Sequence, residues 1–161
     1  MGELEDRDKA MELFEIAYEY QMKGELETAI EYYKQSIEVY PTAEAYTFLG
    51  WTYSFMKRYQ EAIAECEKAI RTDPDFGNPY NDIGAYLIEL GRYDEAIPYL
   101  KKATVAKRYE AYHYPHYNLG RVWEKKGKWY EAIEEYTRAL EIKPDYVLAY
   151  RSKVRLQAQM N

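Results

Sequence analysis

The sequence predicts an all-α chain, a helical solenoid of about four helix-turn-helix repeats followed by a C-terminal capping helix. Three observations predict it. Matched columns recur along the chain, with the alanines of one column spaced by 33, 34 and 36 residues. Small residues hold the same two columns in every copy, and glycine or proline stands at the joints between recurring segments. A fixed period in this range marks stacked supersecondary units, none of which can bury its apolar face alone.

The first element of each copy carries one apolar stripe. Tyr46, Leu49, Gly50 and Tyr53 align with Tyr80, Ile83, Gly84 and Leu87, and with His116, Leu119, Gly120 and Trp123. A weaker upstream copy holds Leu13, Ile16, Ala17 and Tyr20. Recurrence at three- and four-residue steps places these side chains on one face of a helix. The break that follows carries Gly24, Gly91 and Gly127, with Lys57 in the same place in the second copy. Glycine suits the left-handed residue that ends a helix, so Lys57 predicts a slightly different or strained turn.

The second element opens with Leu26, Tyr59, Tyr93 or Trp129 and continues through Ala29, Ala62, Ala96 or Ala132 and then Ile30, Ile63, Ile97 or Ile133. It stops before Pro41, Pro74 or Pro144, since proline cannot continue a helix. Repeats therefore fall at about 10–42, 43–76, 77–112 and 113–146 of a single domain over 1–161, with a capping helix at 147–160. The small columns let paired backbones approach closely, and added bulk there would overpack the contact by ~1–3 kcal/mol.

These motifs resemble the tetratricopeptide repeat, in which an aromatic residue, Leu-Gly, a second aromatic, two alanines and a proline recur every ~34 residues. The resemblance spans residues 10–146, with departures at Ala17, Cys66, His116 and Arg108. It implies a right-handed α-α superhelix whose first helices line a concave face, and a guest polypeptide lying across that face in extended or helical form.

Both ends differ from the interior, as the ends of a stack must. Glu3, Glu5, Asp6 and Asp8 extend the first helix and suit its positive dipole end. The segment from Tyr146 to Gln159 reads as one partnerless helix with Arg151, Lys153, Arg155 and Gln157 outward; the alternative is a chain cut from a longer array. Between the third and fourth copies the period lengthens and Pro is missing, which predicts an elongated second helix ending near Tyr112, with Pro98 tolerated in its first turn.

Composition narrows the function. The chain is 161 residues long and 47% hydrophobic, enough to bury roughly 70% of its unfolded surface as one unit. No apolar run approaches the ~20 residues that cross a bilayer, and the acidic start is unlike a secretory leader, so a soluble cytoplasmic protein is expected. Residues 1–80 carry 8 basic and 17 acidic groups, whereas residues 81–161 carry 14 and 11. That asymmetry can orient a charged partner or favour head-to-tail association.

Chemistry-bearing residues are sparse. Cys66 is alone and falls in a column held elsewhere by Tyr33 and Tyr136, which predicts an inert packed thiol. His113-x-x-His116 could place two imidazoles on one face, yet zinc needs three or four ligands, and His116 shares the column of Tyr46 and Tyr80. No nucleophile and base pair is evident, and Gly84 and Gly91 are packing and turn glycines rather than a phosphate loop. A binding protein with no cofactor and no metal is expected, rather than an enzyme.

Beside the buried stripe, the first helices carry Met11, Phe14, Tyr18, Gln21 and Met22, then Glu44, Thr47, Trp51, Ser54 and Phe55. The next two carry Asn78, Asn81, Ala85, Ile88 and Glu89, then Tyr114, Tyr117, Arg121, Glu124 and Lys125. The candidate groove residues are Phe14, Tyr18, Thr47, Trp51, Phe55, Asn78, Asn81, Tyr117, Asn118 and Arg121. Tyr18, Trp51, Tyr117 and Arg121 are the expected anchors, because aromatic and Arg side chains dominate binding energetics. Asn78, Asn81, Asp82 and Asn118 offer groups for a guest backbone, or alternatively ties between helices. The alternative for the rings is that they pack on one another or lie beneath the N-terminal segment.

A subgroup of the family grips the carboxylate tail of chaperones with two Lys, two Asn and an Arg. The matching places hold Phe14, Tyr18, Phe48, Asn78 and Asp82, or one repeat later Thr47, Trp51, Asp82, Tyr114 and Asn118, so that clamp is absent. The expected role is an adaptor for a partner peptide with apolar side chains. A self-assembling scaffold, and hence a homo-oligomer, is the alternative; a nucleic-acid binder would need a basic stripe of which Arg121, Lys125, Lys126 and Lys128 supply a fragment.

Overall fold

The computed structural model describes residues 1–161 and contains nine α-helices and no β-strand. They are α1 (Gly2–Met22), α2 (Leu26–Val39), α3 (Ala43–Phe55), α4 (Tyr59–Thr72), α5 (Asn78–Glu89), α6 (Tyr93–Thr104), α7 (His113–Lys125), α8 (Trp129–Ile142) and α9 (Val147–Met160). The first eight pack as four consecutive pairs, and α9 lies against α8. First helices also touch across repeats, α3 with α5 and α5 with α7, while second helices make no comparable contact. The layer of first helices is therefore the compressed, inner side of a helical-repeat superhelix.

Each pair is closed by one backbone wrap. In every intra-pair turn, the residue after the turn donates its N–H to a carbonyl five positions back: Glu25 to Tyr20, Arg58 to Tyr53, Arg92 to Leu87 and Lys128 to Trp123, at 2.8–3.0 Å. The residue before each donor must be left-handed. Gly24, Gly91 and Gly127 have φ of 79°, 74° and 75°, and Lys57 adopts φ 59° in the same wrap. The second turn is thus not a different turn; it is the same one, with the conformational cost placed on a residue that has a Cβ.

The small columns set the distance within each pair. Ala29, Ala62, Ala96 and Ala132 are all fully buried. On the facing helix, a Cβ at Gly50 would meet the Ala62 carbonyl oxygen at 2.8 Å and Cys66 Sγ at 3.1 Å. At Gly84 it would meet Leu100 Cγ at 2.5 Å, and at Gly120 the Tyr136 ring at 2.5 Å. One column of the second helix therefore caps the small residue of the first, as Cys66, Leu100 and Tyr136 do in turn. Burial raises the Cys66 thiol well above its ordinary range, which keeps it neutral.

The segment after α6 departs from expectation. Instead of continuing to Tyr112, α6 ends at Thr104, and residues 105–112 form an irregular insert. Long-range bonds stop the helix: Arg108 N–H donates to the Asp75 carbonyl at 2.9 Å, and Gly77 N–H donates to the Arg108 carbonyl at 3.0 Å. Arg108 also pairs with Asp73 and with Glu44 of α3 at 2.8 Å each, and its guanidinium lies 4.1 Å above the Phe76 ring. Pro98 is also displaced from the expected first turn. It is the sixth residue of α6, where its missing N–H leaves the Asp94 carbonyl without its intrahelical donor, on an exposed face.

Candidate functional site

The insert is anchored beside the N-termini of α3 and α5, so it adds a side wall to the inner face. Tyr109 packs directly over Gly77, where a Cβ would come within 2.5 Å of its ring. Its ring also meets Tyr112 edge-on at 5.3 Å. Together these contacts hold Tyr109 and Ala111 on the rim of a recess of about 350 Å³. The rest of the lining is Thr47, Phe48 and Trp51 from α3, Asn78, Asn81 and Asp82 from α5, and Tyr114 from α7.

A second recess of about 470 Å³ lies next to it, between α1 and α3, lined by residues including Met11, Phe14, Glu15, Tyr40, Glu44 and Phe48. Phe48 belongs to both recesses and is the hub of an aromatic cluster. Its ring meets Phe14 at 5.1 Å, Tyr18 at 5.9 Å and Trp51 at 5.7 Å, all edge to face. Trp51 in turn meets Phe55 at 4.9 Å. Edge-to-face pairs of this kind add ~0.5–1.5 kcal/mol each beyond burial. The rings therefore pack on one another, and still face solvent: Tyr18 is 41% exposed and Phe55 55%.

The polar candidates form a ladder across α5 and α7. Asn118 Nδ2 donates to Asn81 Oδ1 at 2.9 Å, and Arg121 Nη1 donates to Asn118 Oδ1 at 3.1 Å. Arg121 Nη2 also pairs with Glu89 at 3.1 Å. Asn81 and Asn118 are buried, so they tie neighbouring helices and have little left for a guest. Thr47 is buried too, its hydroxyl donating to the Ala43 carbonyl of its own helix at 2.7 Å. Asn78 is half-buried and lines the recess with its side chain unspent.

Tyr117 stands apart from both recesses, packed against Tyr136 at 5.8 Å and Tyr146 at 5.3 Å. The two histidines have separate surroundings. His116 Nδ1 lies 2.7 Å from Glu135 Oε2, while His113 is buried against Tyr114 and Tyr146, and desolvation lowers its pKa. Asp82 is perturbed as well. Its carboxylate has one hydrogen-bond donor, Asn81 Nδ2 at 3.5 Å, and desolvation pushes it up to about 7.

Sequence reasoning named Asp82 and Tyr114 without ranking them, placed Phe48 only in the clamp comparison, and missed Tyr109 and Ala111. Phe48 recurs in no column that other copies share. Tyr109 lies in the one stretch where the period fails, so no aligned copy shows where it goes.

Models of the tetratricopeptide repeat match residues 11–38, 43–76 and 81–147. The chain belongs to the tetratricopeptide repeat family. Among curated proteins it is similar to the Protein SGT1 homolog of Oryza sativa subsp. japonica, 38% identical over 73 residues, covering 45% of this chain and 20% of that protein. It is also similar to small glutamine-rich tetratricopeptide repeat-containing protein 2 of Mycosarcoma maydis, 32% identical over 77 residues, covering 47% of this chain and 22% of that protein. The chain thus spans about a fifth of the length of these relatives.

Two solved structures share the architecture. PilF of Pseudomonas aeruginosa superposes with a TM-score of 0.88 at 24% identity, covering 96% of this chain and 70% of that one, a likeness of fold alone. MamA superposes with a TM-score of 0.76 at 27% identity, covering 90% of this chain and 84% of that one. No helix of the chain is long and apolar enough to cross a membrane.

Proposed function

We propose that this chain is a protein-interaction module that holds a segment of a partner polypeptide against its wall of first helices, centred on α3 and α5. The observation that supports it is the pair of solvent-open recesses sharing Phe48, with exposed Tyr18 and Phe55 alongside. Solvated helix faces do not ordinarily present a run of rings. A partner side chain entering either recess would gain apolar contact, and the aromatic cluster is already ordered, so little entropy is lost in forming the site. Membership of the tetratricopeptide repeat family points the same way.

The test is a selection of peptides from a random display library on the immobilised chain, followed by calorimetric titration of the strongest binder. Trp51→Ala is expected to weaken capture at least about tenfold, the loss typical of a buried aromatic anchor, while the circular dichroism spectrum stays helical. Undiminished affinity in a folded Trp51→Ala chain would overturn the assignment.

A further inference from the structure

Within the groove reading above, on which this step rests, we propose that the recess beneath Tyr109 is a specificity pocket for an arginine side chain of the partner peptide. Three observations on this molecule converge on a cation. The only carboxylate lining the recess, Asp82, is engaged by no Lys, Arg or His, its sole donor being the amide of Asn81. Four of its lining side chains are aromatic, Phe48 and Trp51 from α3, Tyr109 from the insert and Tyr114 from α7. No Lys, Arg or His lines the recess.

A half-buried carboxylate with no cation beside it is costly to keep ionised, and a guest cation would offset that cost directly. Aromatic faces attract cations through their quadrupole, an effect that strengthens once water is excluded. Guanidinium fits both demands better than ammonium, since it is planar, weakly hydrated and able to stack on a ring while donating to a carboxylate. Size also fits. A water takes up roughly 30 Å³ of liquid, so a recess of about 350 Å³ admits the head of a long side chain. The basic residues nearest in the fold are already committed elsewhere, Arg108 to Glu44 and Asp73, and Arg121 to Glu89 and Asn118.

The charge state of Asp82 makes the pocket pH-dependent. The titratable groups facing it are the Cys66 thiol of α4, Tyr86 of its own helix and Tyr109 of the insert, with the Tyr114 phenol of α7 across the recess. Cys66, Tyr86 and Tyr109 are all pushed upward by burial, so they stay neutral where Asp82 titrates. With Asp82 itself raised to about 7, the pocket attracts a cation above that pH and loses the attraction as protons bind below it.

The experiment is a chemical-shift titration of the isotopically labelled chain with N-acetyl-arginine methylamide and with its citrulline analogue, whose neutral urea group has nearly the same shape. At about pH 8 the arginine probe is expected to shift the Trp51 indole and the Asn78 and Tyr109 amides saturably, with an affinity about tenfold or more above that of citrulline, as for a charge-assisted hydrogen bond. Asp82→Asn should bring arginine down to the citrulline level, and lowering the pH of the unaltered chain to about 6 should weaken arginine several-fold. Tyr109→Leu, which keeps bulk over Gly77, should weaken arginine alone. Equal affinities for the two probes, or arginine binding indifferent to Asp82→Asn, would overturn the pocket. Either result leaves peptide capture through Trp51 standing, because that is measured independently with selected peptides.

Discussion

Asp82→Asn isolates the free energy stored in the recess, because it removes the charge and keeps the shape. An unfolded aspartate titrates near 3.9, whereas the recess raises Asp82 to about 7. That difference corresponds to about 4 kcal/mol of preference for the protonated form. Asp82 is half-buried and open to water in the recess, which screens part of this, so we expect about 1–3 kcal/mol. The sign follows from proton binding. Between the unfolded and folded values the native chain binds more protons than the unfolded one, so wild-type stability falls as pH rises through this window. Stability relative to Asp82→Asn is therefore fully present below about pH 4 and lost above about pH 7. Urea unfolding followed by circular dichroism at intervals across this range measures it. The variant should be the more stable chain at about pH 8, with the gap closing toward about pH 4. Parallel stability curves, or a variant less stable than wild type at the higher pH, would refute the claim that this carboxylate is held at a cost.

Two further substitutions test the packing that builds the wall. Gly84→Ala would bring a methyl group within 2.5 Å of Leu100 Cγ, and Leu100 is fully buried. The ordinary helix gain of alanine over glycine, about 1 kcal/mol, should be outweighed by overpacking, leaving a net loss of about 1–2 kcal/mol in urea unfolding; a gain would show that the helix pair is looser than described. Lys57→Gly should act in the opposite sense, raising unfolding free energy by about 0.5–1 kcal/mol, since the left-handed strain exceeds the entropy of glycine. An unchanged or lower urea midpoint would mean that Lys57 bears no strain at φ 59°.

The stack was legible because its packing rule repeats. Gly50, Gly84 and Gly120 must be small for one reason, the close approach of the paired second helix through Ala62 and Cys66, Leu100 and Tyr136 respectively, and a constraint met several times leaves a column that can be read. The wall of first helices was legible to the same extent, since Phe14, Trp51 and Asn78 lie on the stripe beside the buried one on their respective helices and all line a recess. What each side chain does there was not. Asn81 and Asn118 bond to each other, a pairing that depends on how closely α5 and α7 approach, and one helix cannot show that distance. The insert was misread for a related reason. Its local pattern permits helix, but Arg108 is drawn to Asp73, Glu44 and the ring of Phe76, all at least 32 residues away in sequence, and these contacts win over propensity. Asp82 looks like any polar residue beside a buried stripe until Tyr109 is placed beside it.

The most direct test of the account is to locate a selected peptide on the chain by intermolecular nuclear Overhauser effects. Contacts are expected from the peptide to Trp51, Asn78 and Tyr109, with the outer faces of α2, α4, α6 and α8 unperturbed. Contacts confined to those outer helices or to α9, with the Trp51 indole signal unmoved, would contradict it.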